Sequence, residues 1–235
     1  MSIRVTFKEA WSGEADCKLC TLRESALFAG LEESDFEQIH QPIDQILLQP
    51  GQTLYQAGVM GDRLFTVRSG MLKLVQYLPD GAQRIVRLVK AADVTGLEAL
   101  LKQAYEHDAV AMQPTELCCL PVATVKALSG RNPELHIELL KRWHRALSEA
   151  DAWLTELSTG PARERIARLL LRLVRDSGGP EVLLFGREDL GAMLGITTET
   201  ASRTIAEFKR QGLLDELGGN HYRADVDQLK RLLDE

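Results

Sequence analysis

Beyond Asn132-Pro133 the chain runs for about 25 residues without a glycine or a proline, and within that run Leu140, Trp143, Leu147, Ala150, Leu154 and Leu157 recur at alternating intervals of three and four. This spacing is an a/d heptad stripe of about three turns of the repeat, so the segment must be one long helix. A helix lying on its own domain buries a wider face, at least about 100° of arc, whereas a strict 3.5-residue period makes a narrow seam between two helices. We therefore expect a dimerisation helix over 131–158 with those six side chains on its seam; the alternative is a helix packed on its own domain.

The chain on either side of this helix has a different rhythm. From Gly51 to about Leu120, short apolar runs are separated at fairly even spacing by Pro50-Gly51, Gly58, Gly61-Asp62, Ser69-Gly70, Pro79-Asp80-Gly81, Gly96 and Pro114, which reads as a β-roll or barrel. Met71 to Tyr77 and Arg84 to Val89 flank Pro79-Asp80-Gly81 and predict a hairpin. After the break at Ser158-Thr159-Gly160-Pro161, a second helix from Ala162 to Arg175 carries Ile166, Leu169, Leu170, Leu173 and Val174 on one face.

Two further helical patterns follow at close range, Arg187 to Leu194 and Thr198 to Gln211, joined by Gly195-Ile196-Thr197. Gly195 can take the left-handed conformation a tight interhelical turn needs, and Gly191 is small where crossing helices approach closely. Leu190, Leu194, Ile196, Ala201, Ile205 and Phe208 would hold the pair together, with Thr197 or Thr198 capping the second helix. The pattern is a helix-turn-helix. On its second helix Glu199, Ser202 and Arg203 stand at i, i+3 and i+4, next to Thr198 at the helix start. Arg donates twice to guanine, Glu accepts from a cytosine amine and Ser bonds several bases, so these four are the candidate DNA-reading residues; a solvated polar face is the other reading. Leu213 to Arg223 reads as two short strands joined across Gly218-Gly219-Asn220, a β-wing, before a last helix with Val226, Leu229 and Leu232. Gly160 to Arg175 has five Arg against one Glu, which makes Arg163 and Arg172 candidate phosphate contacts, or else part of a solvated face.

With 45% hydrophobic and 26% charged residues the chain is globular, and its 28 Lys and Arg against 34 Asp and Glu give a net charge of −6 and no global pull on polyanions. No apolar run is long enough for a membrane span and the start lacks a secretory pattern, so a cytoplasmic protein without a membrane partner is expected. None of the G-x-S-x-G, P-loop, G-x-G-x-x-G or H-E-x-x-H patterns is found, and the five His show no paired metal spacing, so catalysis is not expected.

In this order of units the chain resembles the Crp-Fnr family of bacterial transcription regulators over nearly its whole length. The likeness lies in Pro50-Gly51-Gln52-Thr53-Leu54-Tyr55-Gln56-Ala57-Gly58 and Leu64-Phe65-Thr66-Val67-Arg68-Ser69-Gly70, similar to the family's β-roll, and in Glu199-Thr200-Ala201-Ser202-Arg203-Thr204, similar to the reading helix of its Fnr branch. The resemblance implies an α+β chain: an N-terminal segment (1–25), a cyclic-nucleotide-binding-like jelly roll as sensor (26–130), the dimerisation helix (131–158) and a winged helix-turn-helix (159–235). It implies a homodimer on palindromic double-stranded DNA of the TTGAT/ATCAA type, with RNA polymerase as a further partner. The cyclic AMP cassette of the Crp branch is not reproduced: no Arg lies between Lys90 and Arg131, and Glu106-His107-Asp108 stand where its phosphate pair would be, so cyclic AMP is not expected.

The Fnr branch holds a [4Fe–4S] cluster on four cysteines, and Cys17, Cys20, Cys118 and Cys119 fall in the corresponding regions, but the third N-terminal cysteine is absent. If 116–120 is a strand, Cys118 and Cys119 point to opposite faces and only one can join Cys17 and Cys20. Three readings stay open: buried cysteines, a cluster or other metal, and a thiol switch, so no cofactor is assigned. A redox or metal sensor acting through protein contacts, without DNA reading, is the alternative function.

Overall fold

The computed structural model describes residues 3–4, 7–14 and 43–234. The chain forms two compact units, one reaching to Gln76 and resuming over Val86–Ser148, the other holding Tyr77–Ile85 and the chain from Glu149 on.

The first unit is built on two five-stranded sheets. One runs in the order β1 (Ile3–Arg4), β4 (Gln52–Tyr55), β9 (Asp108–Ala111), β6 (Met71–Tyr77), β7 (Gln83–Lys90). The other runs β2 (Trp11–Glu14), β3 (Asp44–Leu48), β10 (Thr115–Pro121), β5 (Arg63–Ser69), β8 (Val94–Thr95). A short helix, α1 (Phe7–Ala10), precedes β2. Leu48, Val67, Leu117 and Cys119 from one sheet meet Leu72, Leu74, Ala109 and Ala111 from the other in one core, which makes the pair a roll. The expected hairpin is present: Leu78 N–H donates to Ala82 O at 2.9 Å and Gly81 takes φ 82.

A second apolar cluster brings Ile43, Leu64, Val94 and Leu120 together with Val125 and Leu128 of α2 (Val122–Ser129) and with Leu135. Eight residues are too few to announce a helix by period, and α2 was not expected from the sequence. The long helix α3 (Pro133–Glu156) starts where Asn132 Oδ1 accepts from the Glu134 N–H at 3.0 Å, with Pro133 in the first turn, where its missing N–H costs nothing.

In the second unit, α4 (Ala162–Ser177) buries Ile166, Leu169 and Leu170 and leaves Leu173 and Val174 half-buried. The helices α5 (Arg187–Leu194) and α6 (Thr198–Arg210) follow, then α7 (Val226–Asp234). A three-stranded sheet in the order β11 (Glu181–Leu183), β13 (His221–Ala224), β12 (Leu214–Gly218) forms the wing, with Gly219 and Asn220 between its last two strands. No described helix is long and apolar enough to cross a membrane.

Candidate nucleic-acid interface

The helix-turn-helix closes as its residues require. Gly195 ends α5 at φ 63, and a Cβ on Gly191 would stand 2.7 Å from Ile196 O, a distance no real Cβ contact tolerates. Thr197, not Thr198, is the cap of α6: its Oγ1 accepts from the Thr200 N–H at 3.1 Å. Ala201, Thr204, Ile205 and Phe208 face inward and fix which side of α6 is left to solvent.

That outer side carries Thr198, Glu199, Ser202 and Arg203, all exposed. Ser202 Oγ donates to Thr198 O at 2.9 Å, and Arg203 is paired with Glu199 at 2.5 Å although both side chains are at least 70% exposed. An exposed i,i+4 pair is worth about 0.3–0.5 kcal/mol, so the guanidinium is oriented by Glu199 but cheaply released to a stronger acceptor. Further along, Lys209 donates to Glu216 of β12; this hydrogen bond holds the ammonium pKa up and the carboxyl pKa down, and ties the reading helix to the wing.

The arginines of α4 have partners within their own unit. Arg172 stacks over Trp153, its guanidinium carbon 5.7 Å from the ring centroid, beside Glu156, and its side chain is only 15% exposed, so it faces the protein and not phosphates. Arg163 donates to Glu207 and, at 2.6 Å, to Gln211 Oε1, over the Phe208 ring, while its side chain stays 40% exposed. Arg165 bonds Leu194 O at the end of α5, and Arg168 bonds Glu156 O at 3.1 Å and Thr159 O at 2.7 Å. Helical spacing told which side these arginines occupy but not that distant carbonyls would claim them.

Of the six seam residues, Leu140, Trp143, Leu147 and Leu154 are exposed and Ala150 is half-buried. Leu157 is a correction: it is fully buried within its own chain, past the end of α3 where Ser158-Thr159-Gly160 turns the backbone. The sequence reading missed Ile137, exposed one step before Leu140 and continuing the stripe towards the start of α3.

In the roll, Tyr55 and Tyr105 stack with ring centroids 4.0 Å apart, next to Phe65, and Tyr55 shares a hydrogen bond with Thr95. Burial pushes the Tyr55 hydroxyl pKa well up and that of Tyr105 to about 12, so both stay protonated and neutral. At the expected phosphate position, Asp108 turns away to accept from the Ala57 N–H at 2.8 Å, while Glu106 and His107 meet Glu98. Burial lowers the His107 pKa, more than the nearby Glu98 carboxylate raises it.

Cys17 and Cys20 lie outside the described residues. Cys118 and Cys119 do face opposite ways on β10: Cys119 is in the roll core, where burial pushes its thiol pKa up, and Cys118 is half-buried beside the second cluster. The residues therefore do not fit a four-thiolate [4Fe–4S] cluster; three cysteines remain at most.

Comparison with known proteins matches this order of parts. The cyclic nucleotide-binding domain family matches residues 45–132 and the Crp-like helix-turn-helix domain family residues 164–232. The fumarate and nitrate reduction regulatory protein of Escherichia coli K12 is 28% identical over 205 residues, 84% of this chain and 82% of its own. The transcriptional regulatory protein btr of Bordetella pertussis is 25% identical over 226 residues, 93% of each chain. A CRP-family transcriptional regulator from Thermus thermophilus is 26% identical and superposes with a TM-score of 0.70 over 80% of this chain and 96% of that one. FixK2 of Bradyrhizobium japonicum, at 23% identity and a TM-score of 0.74 over 81% of this chain and 96% of its own, bears on the fold alone. A roll, a long helix and a DNA-binding helix-turn-helix in this order, in a protein whose relatives are regulators and not enzymes, define the kind: the chain belongs to the Crp-Fnr family of transcription regulators.

Proposed function

We propose that this regulator acts in the cytoplasm as a homodimer, apposing two copies of α3 and laying two copies of α6 in successive major grooves of a palindromic, Fnr-like site. The observation that carries the reading is the exposed set Thr198, Glu199, Ser202 and Arg203 on the first half of α6, backed by a fully buried opposite face. Each good bidentate base contact discriminates by about 1–3 kcal/mol, more than the Glu199–Arg203 pair holds, so Arg203 exchanges its carboxylate for guanine while Glu199 turns to a cytosine amine. The exposed apolar stripe of α3 supports the dimer, since a lone subunit would leave it in water. Family likeness adds RNA polymerase as partner and the roll as sensor.

The experiment is a binding assay on a TTGAT/ATCAA palindrome and scrambled DNA at fixed salt. Arg203→Ala should lower specific affinity by about tenfold or more per half-site and leave scrambled binding within about twofold. Unchanged discrimination removes Arg203 from the reading. A protein that protects no palindrome at all favours the other reading, a sensor working through protein contacts.

A further inference from the structure

We propose that Glu98, Glu106 and His107 form a binding site for a divalent transition-metal cation of the zinc class at the rim of the roll. Glu98 lies in the 3₁₀ turn Leu97–Leu101, and Glu106 and His107 immediately precede β9, so two separate segments bring one imidazole nitrogen and two carboxylate oxygens to within 4.8 Å of one another. Zn²⁺ binds such atoms at about 2.0–2.2 Å, which places tetrahedral ligands about 3.3 Å apart. Closing from 4.8 Å to that spacing is within the reach of side-chain rotation by two glutamates.

Two further observations point to a cation. Among the described residues, neither carboxylate is ion-paired with Lys or Arg and the imidazole ring has no hydrogen-bond partner, although Glu98 and His107 are both half-buried. Like charges drawn together at a half-buried place repel unless a positive charge joins them. Arg87 on β7 is the cation whose charge reaches His107, and Glu98 acts on the ring more strongly. The second observation is the segment itself: no Arg occurs between Lys90 and Arg131, so this corner of the roll offers carboxylates where an anionic ligand would need guanidinium.

The donor set selects the ion. Imidazole suits zinc, nickel, cobalt and iron, while carboxylates alone would suit magnesium or calcium. Three protein ligands leave at least one coordination position to water, and Glu106 is exposed, so the ion exchanges with solvent and is not a closed structural zinc. The site does not depend on α6 reading DNA.

The test uses the full chain, stripped with a chelator and titrated with Co²⁺, then Zn²⁺. One equivalent of Co²⁺ should give weak visible d–d bands without the intense near-ultraviolet charge-transfer band of a thiolate ligand, and Zn²⁺ should displace it. Glu98→Gln and His107→Gln should each weaken binding by more than about tenfold, while Cys17→Ser with Cys20→Ser changes nothing. Far-ultraviolet circular dichroism checks folding, and Glu106→Gln decides if His107→Gln does not fold. No bound cobalt, a thiolate charge-transfer band, or unchanged affinity in the folded Glu98 and His107 variants overturns the proposal.

Discussion

Leu147→Asp tests the proposed dimer apart from the fold, because in a lone subunit Leu147 is mostly exposed. Its side chain is 62% exposed, and fully burying a Leu is worth about 1.5–3 kcal/mol, so about 1–2 kcal/mol remains to be gained from each copy on pairing. A two-fold seam counts the position twice, giving about 2–4 kcal/mol, or about 30- to 1,000-fold in the dimer dissociation constant at 1.4 kcal/mol per decade. Two facing carboxylates in an apolar seam add to that loss. Sedimentation equilibrium from about 0.1 to 50 μM should show a dimeric wild type and a monomeric variant with an unchanged circular dichroism spectrum. DNA binding should fall to the half-site level. Leu157→Asp is the contrast: that side chain is fully buried in its own subunit, so the variant should unfold rather than dissociate cleanly. A Leu147→Asp protein that stays dimeric at about 0.1 μM and binds the full palindrome as the wild type does would refute the seam.

Three other substitutions test separate parts of the argument. Gly191→Ala gains about 1 kcal/mol of helix propensity but forces a Cβ to 2.7 Å from Ile196 O, and overpacking of that kind costs about 1–3 kcal/mol, so urea unfolding should show net destabilisation. Arg172→Ala should lower the melting temperature through lost stacking on Trp153 and leave the salt dependence of DNA binding unchanged; a flatter salt slope would restore it as a phosphate contact. Asp225 accepts from the Gln228 N–H at the start of α7, and this hydrogen bond holds its carboxyl pKa below the usual range. Its contribution to stability is therefore present above about pH 4 and lost as pH falls through the lowered pKa, so melts between about pH 6 and 3 should be less pH-dependent in Asp225→Asn.

What the sequence made legible follows from how local each signal is. The exposed stripe at Leu140, Trp143, Leu147 and Leu154 and the inward face of α6 are periodic, and a period reports which side of a helix a residue takes. Leu157 keeps the same period but lies beyond Glu156, where α3 ends, so counting alone misplaced it. A strand alternates, so Cys118 and Cys119 face opposite ways on β10 and join different clusters. Long-range pairings left no trace in the sequence. Arg165 finds its acceptor 29 residues away at Leu194 O, and Glu98 meets His107 only because the chain between the 3₁₀ turn and β9 folds back. Neither depends on spacing, and no pattern of residue types could announce them.

The arginines of α4 then bear on how the DNA-binding unit works. Arg168 holds the carbonyls of Glu156 and Thr159, Arg172 stacks on Trp153, Arg165 holds the last carbonyl of α5, and Arg163 holds Glu207 and Gln211 at the end of α6. One helix is thereby bonded to the end of α3 and to both helices of the reading motif. Hydrogen bonds from charged donors are directional, unlike the apolar contacts beside them, so they constrain the angle at which α6 leaves the unit. Displacement of the end of α3 has to carry α6 with it or break several of these bonds. In the proposed dimer, paired α3 helices would set the spacing of the two α6 helices, and α4, bonded to both, would carry a shift in that pairing to Arg203. The basic residues of α4 that the sequence offers as a grip on DNA also bond the rest of their own unit, and those bonds tie α6 to α4 and to the end of α3.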